Sequence, residues 1–363
     1  EGISASRKIS VDDLNAIANE YKIQTPQDAV SQKMVDKLLY KDQVLDELKT
    51  RLDVKTTRDL KFMKIGRYAK APDSDKSSSP DKIAVIYATG DIKSGEGDEE
   101  TIGSETISKA IRKARLDDNV KAVVLRVNSP GGSALASDVI WREMLLTKKV
   151  KPVVVSMGDV AASGGYYISC AADKIYAYPN TITGSIGVFG IIPNFKEMFN
   201  KNLGITFDEV KTNPYADYIP VTRPMNDAEK KIITRDIENI YSTFTTHVSE
   251  GRKMTVAQVD SIGQGRVWSG IDAKRIGLID EFGGLNDAIK EAARLAKLKN
   301  YGTQELPEQK DTFQQLMETF VGDNTKVSLR TELGAAYPYY KYLSRMSRMQ
   351  GIQALMPYEF DIK

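Results

Sequence analysis

One serine stands where a nucleophile could stand. In Asp159-Val160-Ala161-Ala162-Ser163-Gly164-Gly165 the Ser163 hydroxyl follows an apolar, strand-like run over 152–157 and is followed at once by two glycines. Serine at such a strand-to-helix junction has two roles open to it. It is a favoured helix N-cap, its oxygen accepting from a backbone N–H two or three residues on. It is also a nucleophile when its hydroxyl is presented beside backbone N–H groups that can hold a tetrahedral oxyanion. A second paired-glycine turn, Asn128-Ser129-Pro130-Gly131-Gly132-Ser133, leaves the preceding predicted strand. The candidate oxyanion donors are therefore the Gly164 N–H and an N–H from Gly131 or Gly132, with the dipole of the helix opening at Gly164 adding to them. Losing one such donor typically raises a barrier by about 3 kcal/mol.

The base is harder to place. Glycine would be needed where Ala161 stands to make the G-x-S-x-G elbow of α/β-hydrolases. The one histidine, His247, lies in a polar helical stretch and reads as a surface helix residue rather than a triad member. A desolvated lysine is the usual substitute.

These residues need a scaffold that brings both turns to one edge. β-Branched runs over 82–92, 121–128, 152–157 and from Lys174 alternate with helical stretches at about 104–116, at about 134–148 and from Gly164. Alternation of this kind predicts βαβ units and an α/β fold with a mostly parallel sheet. Nearly continuous apolar strands predict helices on both faces. In such sheets, ligands gather at the carboxyl ends of the strands, where both glycine pairs fall.

Composition excludes several alternatives. The 363 residues are 41% hydrophobic, enough for a large core and more than one domain. A net charge of +2 gives no electrostatic reason to expect nucleic acid. One cysteine, Cys170, and one histidine leave no intrachain disulfide and no His/Cys metal cluster. No metal or cofactor is expected. Cys170 is expected to pack as a small residue, and Tyr166 and Tyr167 either line a groove or pack beneath the turn. No apolar run reaches the ~18 to 20 residues that span a bilayer.

The chain also repeats itself. Ser6–Asn19 resembles Gly251–Gln264: Arg7 and Lys8 match Arg252 and Lys253, 245 positions on (252 − 7). Asp28, Ala29 and Asp36 match Asp272, Ala273 and Asp280 at an offset of 244 (280 − 36). In the second copy a domain body precedes this tail. The first copy therefore reads as the end of a repeat whose body is missing. The expected organisation is a remnant of the first repeat over 1–70, a Ser- and Asp-rich linker over 71–81, a catalytic domain over 82–300 and a C-terminal extension over 301–363. The Tyr- and Met-rich extension suits docking onto its own domain, a membrane surface or a partner subunit.

Three stretches, Arg126–Ser133, Val155–Ser169 and Thr183–Gly190, together resemble the signal peptide peptidase A family, also called protease IV. The resemblance implies a crotonase- or Clp-protease-like ββα superhelix and a serine endopeptidase with a Ser/Lys dyad. Ser163 matches the nucleophile; Gly164 and the glycines Gly131 and Gly132 match the oxyanion hole; Ser185 matches a lysine-orienting hydroxyl. Ala216 occupies the place where short members carry the lysine, and nearby Lys211 is the only local substitute. Long, duplicated members carry the lysine in their first half and the serine in their second. The resemblance further implies cleavage of signal peptides and other small peptides without a cofactor. It also implies ring- or bowl-like homo-oligomers and a site on the periplasmic side of the inner membrane, with membrane association through the missing N-terminal part. A catalytically silent assembly module and a crotonase-type acyl-thioester enzyme are the alternatives.

Overall fold

The computed structural model describes residues 1–20, 22–56, 59–63, 79–98, 100–211, 217, 219–307, 333, 340 and 352–356. Most of the expected linker, most of 308–363 and Ala216 lie outside the described residues. The chain divides into two compact units, Glu1–Ser74 and Asp75–Lys363.

Among the described residues the first unit holds four helices, α1 (Gly2–Arg7), α2 (Val11–Asn19), α3 (Pro26–Ser31) and α4 (Lys41–Leu52). The second unit opens with β1 (Lys82–Thr89), β2 (Asp91–Lys93), β3 (Thr101–Gly103), α5 (Ser104–Leu116), β4 (Val120–Ser129) and β5 (Gly131–Ser133). Next come α6 (Ala134–Lys148), β6 (Val153–Ala162), α7 (Gly164–Ser169), β7 (Lys174–Ala177), β8 (Ile182–Gly184) and β9 (Phe189–Gly190). The long α8 (Asp227–Arg252) leads to α9 (Val256–Ile262), β10 (Val267–Ser269), α10 (Gly270–Arg275), β11 (Glu281–Phe282), α11 (Leu285–Leu295), β12 (Gly302–Leu306) and β13 (Ile352–Leu355).

The main sheet has the order β10-β8-β6-β4-β1-β12, with β7 and β11 branching from β6. Every pairing in it is parallel except β10 with β8. The central strands are buried on both faces, as their unbroken apolar sequences require. Val123 and Leu125 join a cluster with Ile111, Ile140 and Met144 of α5 and α6. The alternate residues Ala122 and Val124 pack with Ala288 and Ala292 of α11 on the other face. Each large aliphatic side chain so buried contributes about 1.5–3 kcal/mol.

A second sheet, β3-β2-β5-β13-β9, lies outside the expected architecture. Its existence corrects the Asn128–Ser133 segment: Gly131 and Gly132 form a strand rather than a simple turn. A Cβ on Gly132 would stand 2.1 Å from the Ile92 carbonyl oxygen, so only glycine lets β2 lie this close.

The internal repeat extends to individual contacts. Lys8 and Lys253 end their helices in the left-handed conformation, at φ 56° and 55°. Ser10 and Thr255 then cap the next helices through Asp13 N and Gln258 N. Thr25 and Ser269 cap α3 and α10 through Asp28 N and Asp272 N. Arg7 Nε donates to the Lys33 carbonyl at 2.9 Å and its guanidinium pairs with Asp36 at 3.1 Å. Arg252 does the same with Gly277 at 3.0 Å and Asp280 at 2.9 Å. Only the surroundings differ: the Arg252 side chain is 8% exposed, whereas Arg7 is 27% and Asp36 84% exposed. Arg252→Ala strips Asp280 of its closest cation in a half-dry site and should cost about 3 kcal/mol. The matching Arg7→Ala should cost far less, because solvent screens that exposed pair. Chemical denaturation of the two variants reads the difference; equal losses would contradict it.

Candidate active site

Strand β6 does not stop at Met157, where the apolar run ends. It continues to Ala162 because β8 lies alongside, pairing Val160 with Ile182, Ala161 with Thr183 and Ala162 with Gly184. The next residue, Ser163, takes φ 52° and ψ −113°. A side chain in so sparsely populated a region costs of order 1–3 kcal/mol and persists only where its surroundings hold it. Here the Ser163 N–H donates to the Gly184 carbonyl at 2.8 Å, and the Ser163 carbonyl accepts from Tyr167 N at 2.8 Å.

This conformation separates the two roles open to the serine. Ser163 stands at the N-cap position of α7, yet its side chain makes no capping bond. Its Oγ instead lies 3.3 Å from the Gly187 carbonyl. Ser163 is completely buried.

The glycine pairs meet beside it. A Cβ on Gly131, at φ +105°, would stand 2.7 Å from Gly164 N; a Cβ on Gly164 would stand 3.1 Å from Gly131 Cα. The Gly131 N–H donates to Ser129 Oγ at 3.1 Å, a contact its sequence neighbours did not reveal. The Gly164 N–H is thus the amide adjoining the serine, with the Gly131 backbone against it. Ser185 follows Gly184 at the end of the neighbouring strand, itself at φ 47°. Its Oγ reaches the Gly265 carbonyl at 3.4 Å and its N–H the Arg266 carbonyl at 2.8 Å.

The aromatic residues below the turn are packing groups. Tyr166 and Tyr167 are buried, their hydroxyls donating to the Leu278 carbonyl and to Asp138 Oδ1, each at 2.8 Å. Cys170 is buried as expected, and burial pushes its thiol up to about 12, leaving it inert. His247 is not the surface residue its polar helix suggests. It stacks on Trp141 with ring centroids 3.5 Å apart, and its Nε2 lies 3.1 Å from Asp138 Oδ1. It stays a structural group, and it is absent from the Ser163 hydroxyl's contacts. Among the described residues no group of three or more side chains could hold a metal ion.

Among the described residues, no lysine, histidine or carboxylate stands within hydrogen-bonding distance of Ser163 Oγ. Lys211 is committed elsewhere, its Nζ 2.7 Å from Asp217 and 2.9 Å from Glu209. Its ammonium is stabilised by Asp217 first and Glu209 second, the opposite of what a general base needs. Arg223 extends this network to Asp217 at 2.7 Å and to the buried Glu229 at 2.6 Å. The Arg223 guanidinium, helped by the Asn226 N–H, lowers the Glu229 carboxyl to about 2. Because the folded value lies below the unfolded ~4.3, this contribution is present above that pH and is lost as pH falls toward 2. Wild-type stability should therefore fall more steeply between those limits than that of Glu229→Gln. Denaturant midpoints across that range check this, and parallel curves would refute it.

Comparison with known proteins bears on the family and the fold. The family model for Peptidase family S49 matches residues 146–299, and that for Clp protease matches residues 76–183. The second match runs from before β1 into β8 and bears out the Clp-protease-like fold. Protease 4 of Salmonella typhi is 39% identical over 333 residues, covering 88% of this chain and 52% of that protein. Protease 4 of Haemophilus influenzae is 42% identical over 284 residues, 76% of this chain and 44% of its own length. A putative protease of Methanocaldococcus jannaschii is 35% identical over 236 residues, 62% of this chain and 76% of its own. The chain thus spans about half the length of the two Protease 4 relatives and three quarters of the shorter archaeal one. With the S49 family model falling on the strand–serine–helix unit and a protease relative at 35% identity matched over three quarters of its own length, the chain belongs to peptidase family S49.

Proposed function

We propose that the chain is the serine-bearing half of a serine endopeptidase of the signal peptide peptidase type, with Ser163 as nucleophile. The observation that carries this is the strained, buried Ser163, whose hydroxyl is withheld from capping while the Gly164 and Gly131 backbones meet beside it. Ser163 Oγ attacks a peptide carbonyl carbon, and its proton passes to a neutral lysine amine. The C=O electron pair moves to oxygen, which rests against the Gly164 N–H and an N–H of the Gly131-Gly132 strand. Collapse breaks the C–N bond, and the lysine returns its proton to the departing amine. Water, deprotonated by the same lysine, then hydrolyses the acyl-serine to a carboxylic acid and restores Ser163.

The lysine belongs to the companion repeat. The commitment of Lys211 to two carboxylates supports this. So does the first unit, whose Val35 is 40% exposed while its repeat counterpart Ile279 is 2% exposed, as a tail built to pack on another body would be. Ser185, at the adjacent strand end, orients that lysine. Substrates are released signal peptides and other unfolded peptides. Assembly is as a homo-oligomer at the cell envelope, on the periplasmic side of the inner membrane, with the membrane anchor outside these residues. Among the described residues no helix is long and apolar enough to cross a membrane. The test is mass-spectrometric detection of cleavage of a synthetic signal peptide. Cleavage by this chain assembled with its lysine-bearing repeat, and none by either alone, is expected. Folding and assembly without cleavage would favour a silent scaffold.

A further inference from the structure

Strand β13 lies in the site. It pairs antiparallel with β5 on one edge, Leu355 opposite Gly131, Ala354 opposite Gly132 and Gln353 opposite Ser133. On its other edge it pairs antiparallel with β9, Gln353 opposite Phe189 and Ile352 opposite Gly190. The Met356 N–H adds a bond to the Pro130 carbonyl at 2.8 Å. With strands ~4.8 Å apart, removing β13 leaves between β5 and β9 a slot one extended chain wide, edged by backbone on both sides. Such a slot accepts a peptide by strand addition.

The register of the occupant matters most. The Ala354 carbonyl oxygen lies 2.2 Å from where a Cβ on Gly131 would be and 2.9 Å from where one on Gly164 would be. It therefore sits between the two backbones that meet beside Ser163, where a scissile carbonyl would go. β13 packs on α7, whose first turn follows the serine. Ala354 and Ser163 are both completely buried. A nucleophile that must meet outside peptides is thus sealed by a segment of its own chain.

We propose that Ile352–Met356 is an internal plug of the peptide slot. It is bound as an extended, substrate-like strand with the Ala354 carbonyl at the oxyanion position, and it must leave before another peptide enters. The proposal deepens the peptidase reading and rests on it for the meaning of the slot. A plug seated nine-tenths of the time would weaken the apparent affinity for an outside peptide about tenfold.

The experiment measures binding, so that it does not depend on turnover. A fluorescently labelled Ile-Gln-Ala-Leu-Met peptide is titrated against the full chain, a chain ending at residue 351, and the full-length Ala354→Arg variant. The arginine would force a charge into a wholly buried position and evict the segment without shortening the chain. Fluorescence anisotropy should show at least tenfold tighter binding to both altered chains than to wild type. Gly131→Ala in the shortened chain should abolish it. Equal binding by all three chains, with circular dichroism showing each folded, would overturn the plug. Tight binding by the altered chains, with no hydrolysis by the assembled protein, would instead leave the plug standing and remove the peptidase reading.

Discussion

Ser163→Ala, in the chain assembled with its lysine-bearing repeat, lowers kcat for peptide hydrolysis by between about 10⁴- and 10⁶-fold, the range expected when a serine nucleophile is removed. KM should change little, because a peptide bound in place of β13 would be held by the backbones of β5 and β9 and not by the Ser163 hydroxyl. The fold should survive. Among the described residues the only hydrogen bond of the hydroxyl is the long one to Gly187, and the bonds that hold the strained turn come from the Ser163 backbone. A thermal midpoint near wild type together with lost turnover distinguishes a nucleophile from a structural hydroxyl. Retained turnover would show that Ser163 is not the attacking group.

Gly131→Ala should cost about 10²- to 10³-fold in kcat, the worth of one oxyanion donor. The added Cβ would stand 2.7 Å from Gly164 N, closer than a real Cβ comes to a backbone atom, and would occupy the space in front of that amide. Its φ of +105° adds strain for any L side chain, so stability should also fall, by about 1–3 kcal/mol. Steady-state kinetics and denaturation on the same preparation separate the two effects. A variant that unfolds earlier yet keeps wild-type kcat at low temperature would place the oxyanion elsewhere.

Much of the main sheet was legible in the residues. The helices expected near 104–116 and 134–148 are Ser104–Leu116 and Ala134–Lys148, and the unbroken apolar runs are the buried parallel strands. Apolar period and length suffice there because burial on both faces leaves few other places for such segments. The last residues of β6 were not legible. Gly158 and Asp159 break the apolar run, and only pairing with β8 keeps the backbone extended to the serine. Nor was the second sheet. Its strands β5 and β9 hold three and two residues, and β13 pairs with them across more than 150 positions (352 − 190), so no local pattern announces it. His247 misled because its neighbours in sequence are polar while its partners, Trp141 and Asp138, come from α6. The serine and glycines of the site were visible as residue types. The strain at Ser163, and the occupation of the Gly131 N–H by Ser129, are properties of three-dimensional packing alone.

The most direct measurement is covalent labelling with a fluorophosphonate probe, read by mass spectrometry at Ser163. The chain alone, the chain assembled with the lysine-bearing repeat, and the Ser163→Ala form of each are compared. Labelling confined to the assembled wild-type protein is the predicted result, because it requires both an activated Ser163 and a base from outside these residues. A correctly assembled protein that leaves Ser163 unlabelled would contradict the account.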